Sequence, residues 1–232
     1  YMFLSSNKKF DFSGFFILDM ANNHQGSLAH GLRIIREFEP VVKNAGVRAA
    51  IKFQFRDLDS FIHPDFKDST DNKHISRFLS ARLNEEEFKV LTQEVRKAGL
   101  ITIATPFDEA SVNMVDRLSI EVIKVASCSV TDWPLLQKIV ESGKPIICST
   151  AGLSLTEVDN LVSFFDHRGA DYALMHCVAI YPTPKEKLNL NRIRIFRTRY
   201  PHVTIGFSTH EEPDEIDIVK MAYINGARLF ER

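Results

Sequence analysis

A chain of 232 residues that is 44% hydrophobic and 25% charged holds enough apolar material for one sizeable α/β domain, while a net charge of -1 excludes a polyelectrolyte partner. No basic stripe marks a nucleic-acid surface, no run approaches the roughly 18 apolar residues that cross a bilayer, and residues 1–9 lack the apolar stretch of a signal peptide. Cys128, Cys148 and Cys177 lie far apart with no CxxC pair, so the expectation is buried structural thiols in a cytoplasmic protein rather than a disulfide framework.

The first β-rich run covers residues 15–20. Leu32, Ile35, Phe38, Val41 and Val42 then repeat at helical spacing as far as Gly46, where glycine supplies the cap. A second run, 49–53, leads into an inserted polar loop over residues 56–82, with Pro64, Asp65, Asp68, Ser69, Thr70, Asp71 and Asn72. Following a strand, this loop is expected on the catalytic face. A helix over 87–98 stops at Gly99 before the run 100–104, and the run 121–125 comes next. Helix 133–142 stops at Gly143 before the run 145–148, and helix 155–165 stops short of Gly169 before the run 172–177. The last runs are 203–206 and 227–230, with helix 215–224 and Gly226 between them.

Several of these runs are apolar throughout, as strands covered on both faces should be, and helix–glycine–strand is the signature of connections in a parallel sheet. Eight runs without a composition break predict one α/β domain over residues 1–232, a closed (β/α)8 TIM barrel. No room follows the eighth run for a closing helix, so the barrel is expected to be incomplete at its C-terminus and part of a longer protein.

Barrel enzymes build their sites from strand ends and the loops after them. Here those ends supply, in order, Asp19, Asn22, Asn23 and His24; Lys52 and Gln54; Thr105 and Asp108; Lys124 and Ser127; Ser149 and Thr150; His176 and Tyr181; Ser208 and His210; and Glu231. A lysine inside an apolar strand is costly without a counter-charge. Lys52 and Lys124 are therefore neutralised by nearby carboxylates, bind an anion, or include a desolvated Schiff-base nucleophile. The hydroxyls of Ser127, Ser149, Thr150 and Ser208 near the same mouth favour a phosphate cradle. His210 and Glu231 end adjacent strands and are candidates to share a divalent metal, with His24 or His176 as further ligands. His63 and His74 fall in the inserted loop and are expected to carry no chemistry.

The same strand ends resemble the sialic acid synthase (N-acetylneuraminate synthase) family, including its spore-coat polysaccharide members. The resemblance rests on residues 17–26 around Asp19, then Lys52-Phe53-Gln54, Thr105-Pro106-Phe107-Asp108, Lys124-Val125-Ala126-Ser127, Ser149-Thr150-Ala151-Gly152, His176-Cys177, Tyr181-Pro182 and Gly206-Phe207-Ser208-Thr209-His210. It implies a phosphoenolpyruvate-dependent transferase that condenses phosphoenolpyruvate with an N-acyl aldose such as N-acetylmannosamine and releases phosphate. A divalent metal, Mn2+ or Mg2+, and a homodimeric form are implied as well. By position Lys52, Lys124, Ser127, Ser149 and Ser208 resemble the phosphoenolpyruvate-binding groups, and His210 the first metal histidine. Asp19, Tyr181 and Glu231 resemble the catalytic set.

Three departures stand out. Asp19 replaces the family's usual Glu, Ala179 replaces an Asn two residues before the tyrosine, and Arg232 precedes the position of the second metal histidine. The family's small C-terminal antifreeze-like domain has no counterpart in these residues. Two other readings compete. One is a Schiff-base aldolase using Lys52 or Lys124, and the other is a catalytically impaired barrel serving as a binding subunit.

Overall fold

The computed structural model describes residues 9–67 and 72–232; residues 1–8 and, in the inserted segment, Asp68, Ser69, Thr70 and Asp71 lie outside the described part. Eight strands form one closed barrel in sequence order: β1 (Phe15–Ala21), β2 (Arg48–Phe55), β3 (Ile101–Pro106), β4 (Val122–Val125), β5 (Ile146–Ser149), β6 (Tyr172–His176), β7 (Thr204–Ser208) and β8 (Leu229–Glu231). Every neighbouring pair is parallel, and β8 closes on β1 through the register Phe15↔Leu229 to Ile17↔Glu231. The TIM barrel expected from the alternation is the fold observed.

Helices α1 (Leu28–Ala45), α2 (Leu58–Phe61), α3 (Lys73–Ser80), α4 (Glu85–Lys97), α5 (Glu109–Arg117), α6 (Trp133–Glu141), α7 (Leu155–His167), α8 (Asn191–Arg199) and α9 (Ile216–Asn225) occupy the connections. Their starts are fixed locally. Asn84 with Glu87 and Ser154 with Glu157 form reciprocal capping boxes on α4 and α7. Asp108 receives the Ser111 N–H at the start of α5. Gly46, at φ 62°, ends α1 in the left-handed conformation that a side chain resists. Among the described residues no helix is long and apolar enough to cross a membrane.

Apolar packing falls into two layers. One fills the barrel itself, with Phe15, Ile17, Ala50, Ile103, Val122, Ile147, Ala173, Met175 and Leu229. The other lies between the sheet and its helices, with residues such as Ile51, Phe53, Ile123, Cys148, Leu174 and Phe207. Strand side chains alternate faces with period two. Membership of the inner layer therefore identifies which residue on each strand points inward next.

Residues 56–82 depart from the expected loop. They leave the carboxyl end of β2 as α2, a 3-10 turn (Pro64–Phe66) and α3, and Leu58, Ile62, Ile75 and Phe78 bury one another in a small core of their own. The polar composition conceals these apolar residues, and Asn72 caps α3 by receiving the His74 N–H.

Gly206 on β7 has no room for a side chain. A Cβ there would lie 2.7 Å from the Leu229 carbonyl oxygen on β8. Gly206→Ala should cost about 1–3 kcal/mol by overpacking the barrel wall, read as a lower urea midpoint with unchanged slope. An unchanged midpoint would show that β7 and β8 do not approach this closely.

Candidate active site

Two residues beyond the inner apolar layer, the barrel changes character. The inward positions become Asp19 after Ile17, Lys52 after Ala50, Thr105 after Ile103, Lys124 after Val122, Ser149 after Ile147, Ser208 after Gly206 and Glu231 after Leu229. The apolar plug thus ends in a polar layer at the carboxyl ends of the strands.

Glu231 is its centre. Lys124 Nζ donates to both carboxylate oxygens, at 2.8 and 2.9 Å, and Ser208 Oγ donates to Oε1 at 2.9 Å. Lys52 Nζ stands 3.2 Å from the same Oε1 and 3.1 Å from Asp19 Oδ2. Lys52, Lys124, Ser208 and Glu231 are all buried, whereas the Asp19 side chain remains 27% exposed at the mouth. Two cations and two carboxylates therefore share one small volume.

The ionisation of the group follows from that geometry. Burial alone would raise the Glu231 carboxyl, but Lys124 and Lys52 overcome it and hold the group far below the usual carboxylate range. Burial would likewise lower Lys52, yet Glu231 and Asp19 outweigh it and keep the ammonium above its ordinary pKa. Asp19 is raised, by burial first, with Lys52 pulling the other way and Glu231 reinforcing the rise. Its Oδ1 is buried without a hydrogen-bond partner.

The serines divide. Ser208 binds Glu231, and Ser149 is buried at the inward end of β5. Ser127 accepts the Ala151 N–H at 2.9 Å and lies 3.4 Å from Cys177 Sγ, which ties the loop after β4 to that after β5. Thr150 does not join the mouth, since its hydroxyl donates to the Met175 carbonyl. Thr105 belongs to the polar layer, and its Oγ1 is buried with no partner. Thr105 is one of the strand-end residues legible in the sequence, and its register, two residues past the inward Ile103, turns it into this layer.

His210 sits just beyond β7 with its ring 4.2 Å from that of Tyr181, which is 71% exposed. Burial pushes the imidazole pKa down to about 4; Glu231 opposes this, and Lys124, Lys52 and Arg232 add to the drop. His24 and His176 do not accompany it. His24 is buried edge-on against Phe88, with Nδ1 accepting the Gly26 N–H. His176 occupies an outward position on β6, donates Nε2–H to the Leu188 carbonyl and stacks on Phe207. Among the described residues no three His, Cys, Asp or Glu side chains gather as a metal site. A metal at this mouth would take one nitrogen, His210, from the set proposed above. Ala179 stands exposed in the loop after β6.

The model of the NeuB family matches residues 41–232. The chain belongs to the NeuB family. Its relatives include a protein of Methanocaldococcus jannaschii described as uncharacterised, 33% identical over 84% of this chain and 55% of that protein. The spore coat polysaccharide biosynthesis protein SpsE of Bacillus subtilis is 30% identical over 94% of this chain and 58% of its own length. Among solved structures, a spore coat polysaccharide biosynthesis protein E of Chromobacterium violaceum superposes with TM-score 0.92 at 45% identity, over 94% of this chain and 65% of that one. The N-acetylneuraminic acid synthetase of Leptospira borgpetersenii gives 0.83 at 29%, over 95% and 72%. This NeuB-family chain spans 55% and 58% of the two curated relatives.

Two outcomes follow from the ion cluster. Lys124→Met should cost about 3–5 kcal/mol, because it strips a buried carboxylate of its main partner, and adding Glu231→Gln should recover much of the loss in a double-mutant cycle. Strict additivity of the two changes would contradict the pairing. His210, with its folded pKa pushed down to about 4 from an ordinary 6.5, resists protonation when folded. Stability is therefore full above about pH 6.5 and falls as the pH drops towards 4, and His210→Asn should flatten that slope in pH-dependent urea melts.

Proposed function

We propose that this chain forms the barrel of a phosphoenolpyruvate-dependent condensing enzyme. It adds a pyruvyl unit to an N-acyl aldose such as N-acetylmannosamine, giving a sialic-acid-like nonulosonate and phosphate for surface or spore-coat polysaccharide biosynthesis. The observation that carries the proposal is the polar layer. Two buried lysines, Lys52 and Lys124, converge with Ser149, Ser208 and the unpartnered Thr105 hydroxyl where an apolar barrel ends. Family membership and relatives named as nonulosonate synthases support the same reading, among them N,N'-diacetyllegionaminic acid synthase and pseudaminic acid synthase.

In the proposed reaction C3 of phosphoenolpyruvate bonds to the aldehyde carbon of the open-chain sugar. Water adds to C2, and the C2–O bond to phosphate breaks as the 2-keto group forms. Lys52, Lys124, Ser127, Ser149 and Ser208 bind phosphoenolpyruvate, the two ammonium groups meeting its charge in a site with little water. Glu231 holds both lysines aimed at the mouth. Asp19, with its raised pKa and open Oδ1, takes the proton of the attacking water. Tyr181 lines the sugar side, beside His210.

His210, neutral over the physiological range, would be the residue of this chain that holds Mn2+ or Mg2+. When bound, that ion supplies Lewis-acid polarisation of the aldehyde. The proposal includes a homodimeric form. The ion pairing that keeps Lys52 charged counts against its use as an imine-forming amine.

Incubation with phosphoenolpyruvate, Mn2+ and a panel of N-acyl aldoses should release phosphate in step with sugar consumption, and Lys124→Met should lower turnover at least about 100-fold. Borohydride trapping of a covalent pyruvate adduct would support the aldolase instead. A folded protein that releases no phosphate with any aldose would leave only a binding role.

A further inference from the structure

Glu211, just past the end of β7, is a buried carboxylate without hydrogen bonds. Its side chain is 1% exposed, and neither Oε1 nor Oε2 has a donor. Glu231 on the neighbouring strand, by contrast, receives bonds from Lys124 and Ser208 on both oxygens. The counter-ion of Glu211 is Arg232, whose Nη1 stands 3.6 Å from Oε1.

A carboxylate taken out of water is costly unless it is paired. Hydrogen-bond donors would spend its charge locally. Without them the field of Glu211 acts on its neighbours, and it acts strongly where water is excluded.

The backbone around the pair is tied to the mouth. Arg232 Nη2 donates to the Glu211 carbonyl at 2.9 Å, which places the guanidinium one peptide from His210. The Arg232 N–H donates to the Ile17 carbonyl, and the Arg232 carbonyl accepts the Asp19 N–H. On the other side the Thr183 N–H donates to the His210 carbonyl at 2.9 Å. The Arg232 charge is one of those that bear on the His210 ring. Lys52 and Lys124 suit an anion. His210 can receive a divalent cation only where the guanidinium beside it is offset.

We propose that Glu211 is a positioning residue that holds Arg232 and offsets its charge, so that the His210 corner accepts a divalent cation while the lysine floor accepts an anion. The assignment rests on the reading above that His210 holds the metal of a phosphoenolpyruvate-condensing mouth. It adds what keeps a cation site and an anion site apart in one cleft.

The test titrates Mn2+ into the full chain without substrate, following loss of the free-ion electron paramagnetic resonance signal, and titrates phosphoenolpyruvate by calorimetry. Glu211→Gln keeps the shape and removes the charge. It should bind Mn2+ at least about tenfold more weakly than the unaltered protein, and phosphoenolpyruvate no more weakly. Adding Arg232→Gln should bring Mn2+ affinity back to within about threefold of the unaltered protein. The doubly neutral pair leaves no buried charge unpaired, so it carries the test even where Glu211→Gln does not fold. A side chain that only filled space would lower both affinities together and gain nothing from the second change. Equal Mn2+ binding in Glu211→Gln and the unaltered protein, joint loss of both ligands, or a double variant that binds Mn2+ tenfold more weakly would overturn the assignment. An unaltered protein that binds no Mn2+ would overturn it too. The expected Mn2+ pattern in a protein that releases no phosphate with any aldose would overturn the condensation reading and leave Glu211 in its role.

Discussion

A carboxylate shared between two ammonium groups, at the point where an apolar barrel ends, governs the rest of the mouth. Glu231 draws Lys124 and Lys52 inward from strands on other sides of the barrel, and Ser208 completes its coordination. Such a cluster adds little net stability, because desolvating each ion offsets the attraction. What it does provide is orientation. Neither lysine can turn away into an apolar wall, so both ammonium groups stay at the floor of the cleft. Their charge also keeps protons off His210 and helps hold Glu231 ionised. One arrangement thereby fixes the protonation of several groups at once.

Chirality and register do the rest. In a closed parallel barrel alternate strands fill each level with inward side chains, so a change from apolar to polar along seven of the eight strands builds a polar layer. That layer was legible in the sequence as polar residues at the ends of apolar runs. The strand limits were less so. β7 continues through Phe207 and Ser208, and β8 through Glu231, because these residues pair in the ladder whatever their polarity. An apolar run marks the buried part of a strand, and functional residues lie in the part that follows.

Other features lay beyond sequence patterning for definite reasons. Helix α8 alternates Arg192, Ile193, Arg194 and Ile195 in the manner of a strand, and only the burial of Ile193 and Phe196, three apart, shows its helical face. His24 and His176 look equivalent to His210 in a list of strand ends. Register sends His176 outward and a turn buries His24, leaving His210 beside Tyr181. The inserted segment reads as polar loop because its few apolar residues are spread over two short helices. Lys52, Lys124, Ser208, Glu231 and Asp19 meet as their strand positions imply. The engagement of Glu231 by both lysines is a side-chain matter that the chain order does not specify.

Lys52 and Lys124 form an anion site at the mouth only if they bind ligand charge as well as neutralise Glu231. Calorimetric titration of phosphoenolpyruvate into the unaltered protein, Lys52→Met and Lys124→Met tests this most directly. The expected result is saturable binding that weakens at least about tenfold in each variant, with circular dichroism confirming the fold. Binding of equal strength in all three proteins, or none in the unaltered one, would contradict it.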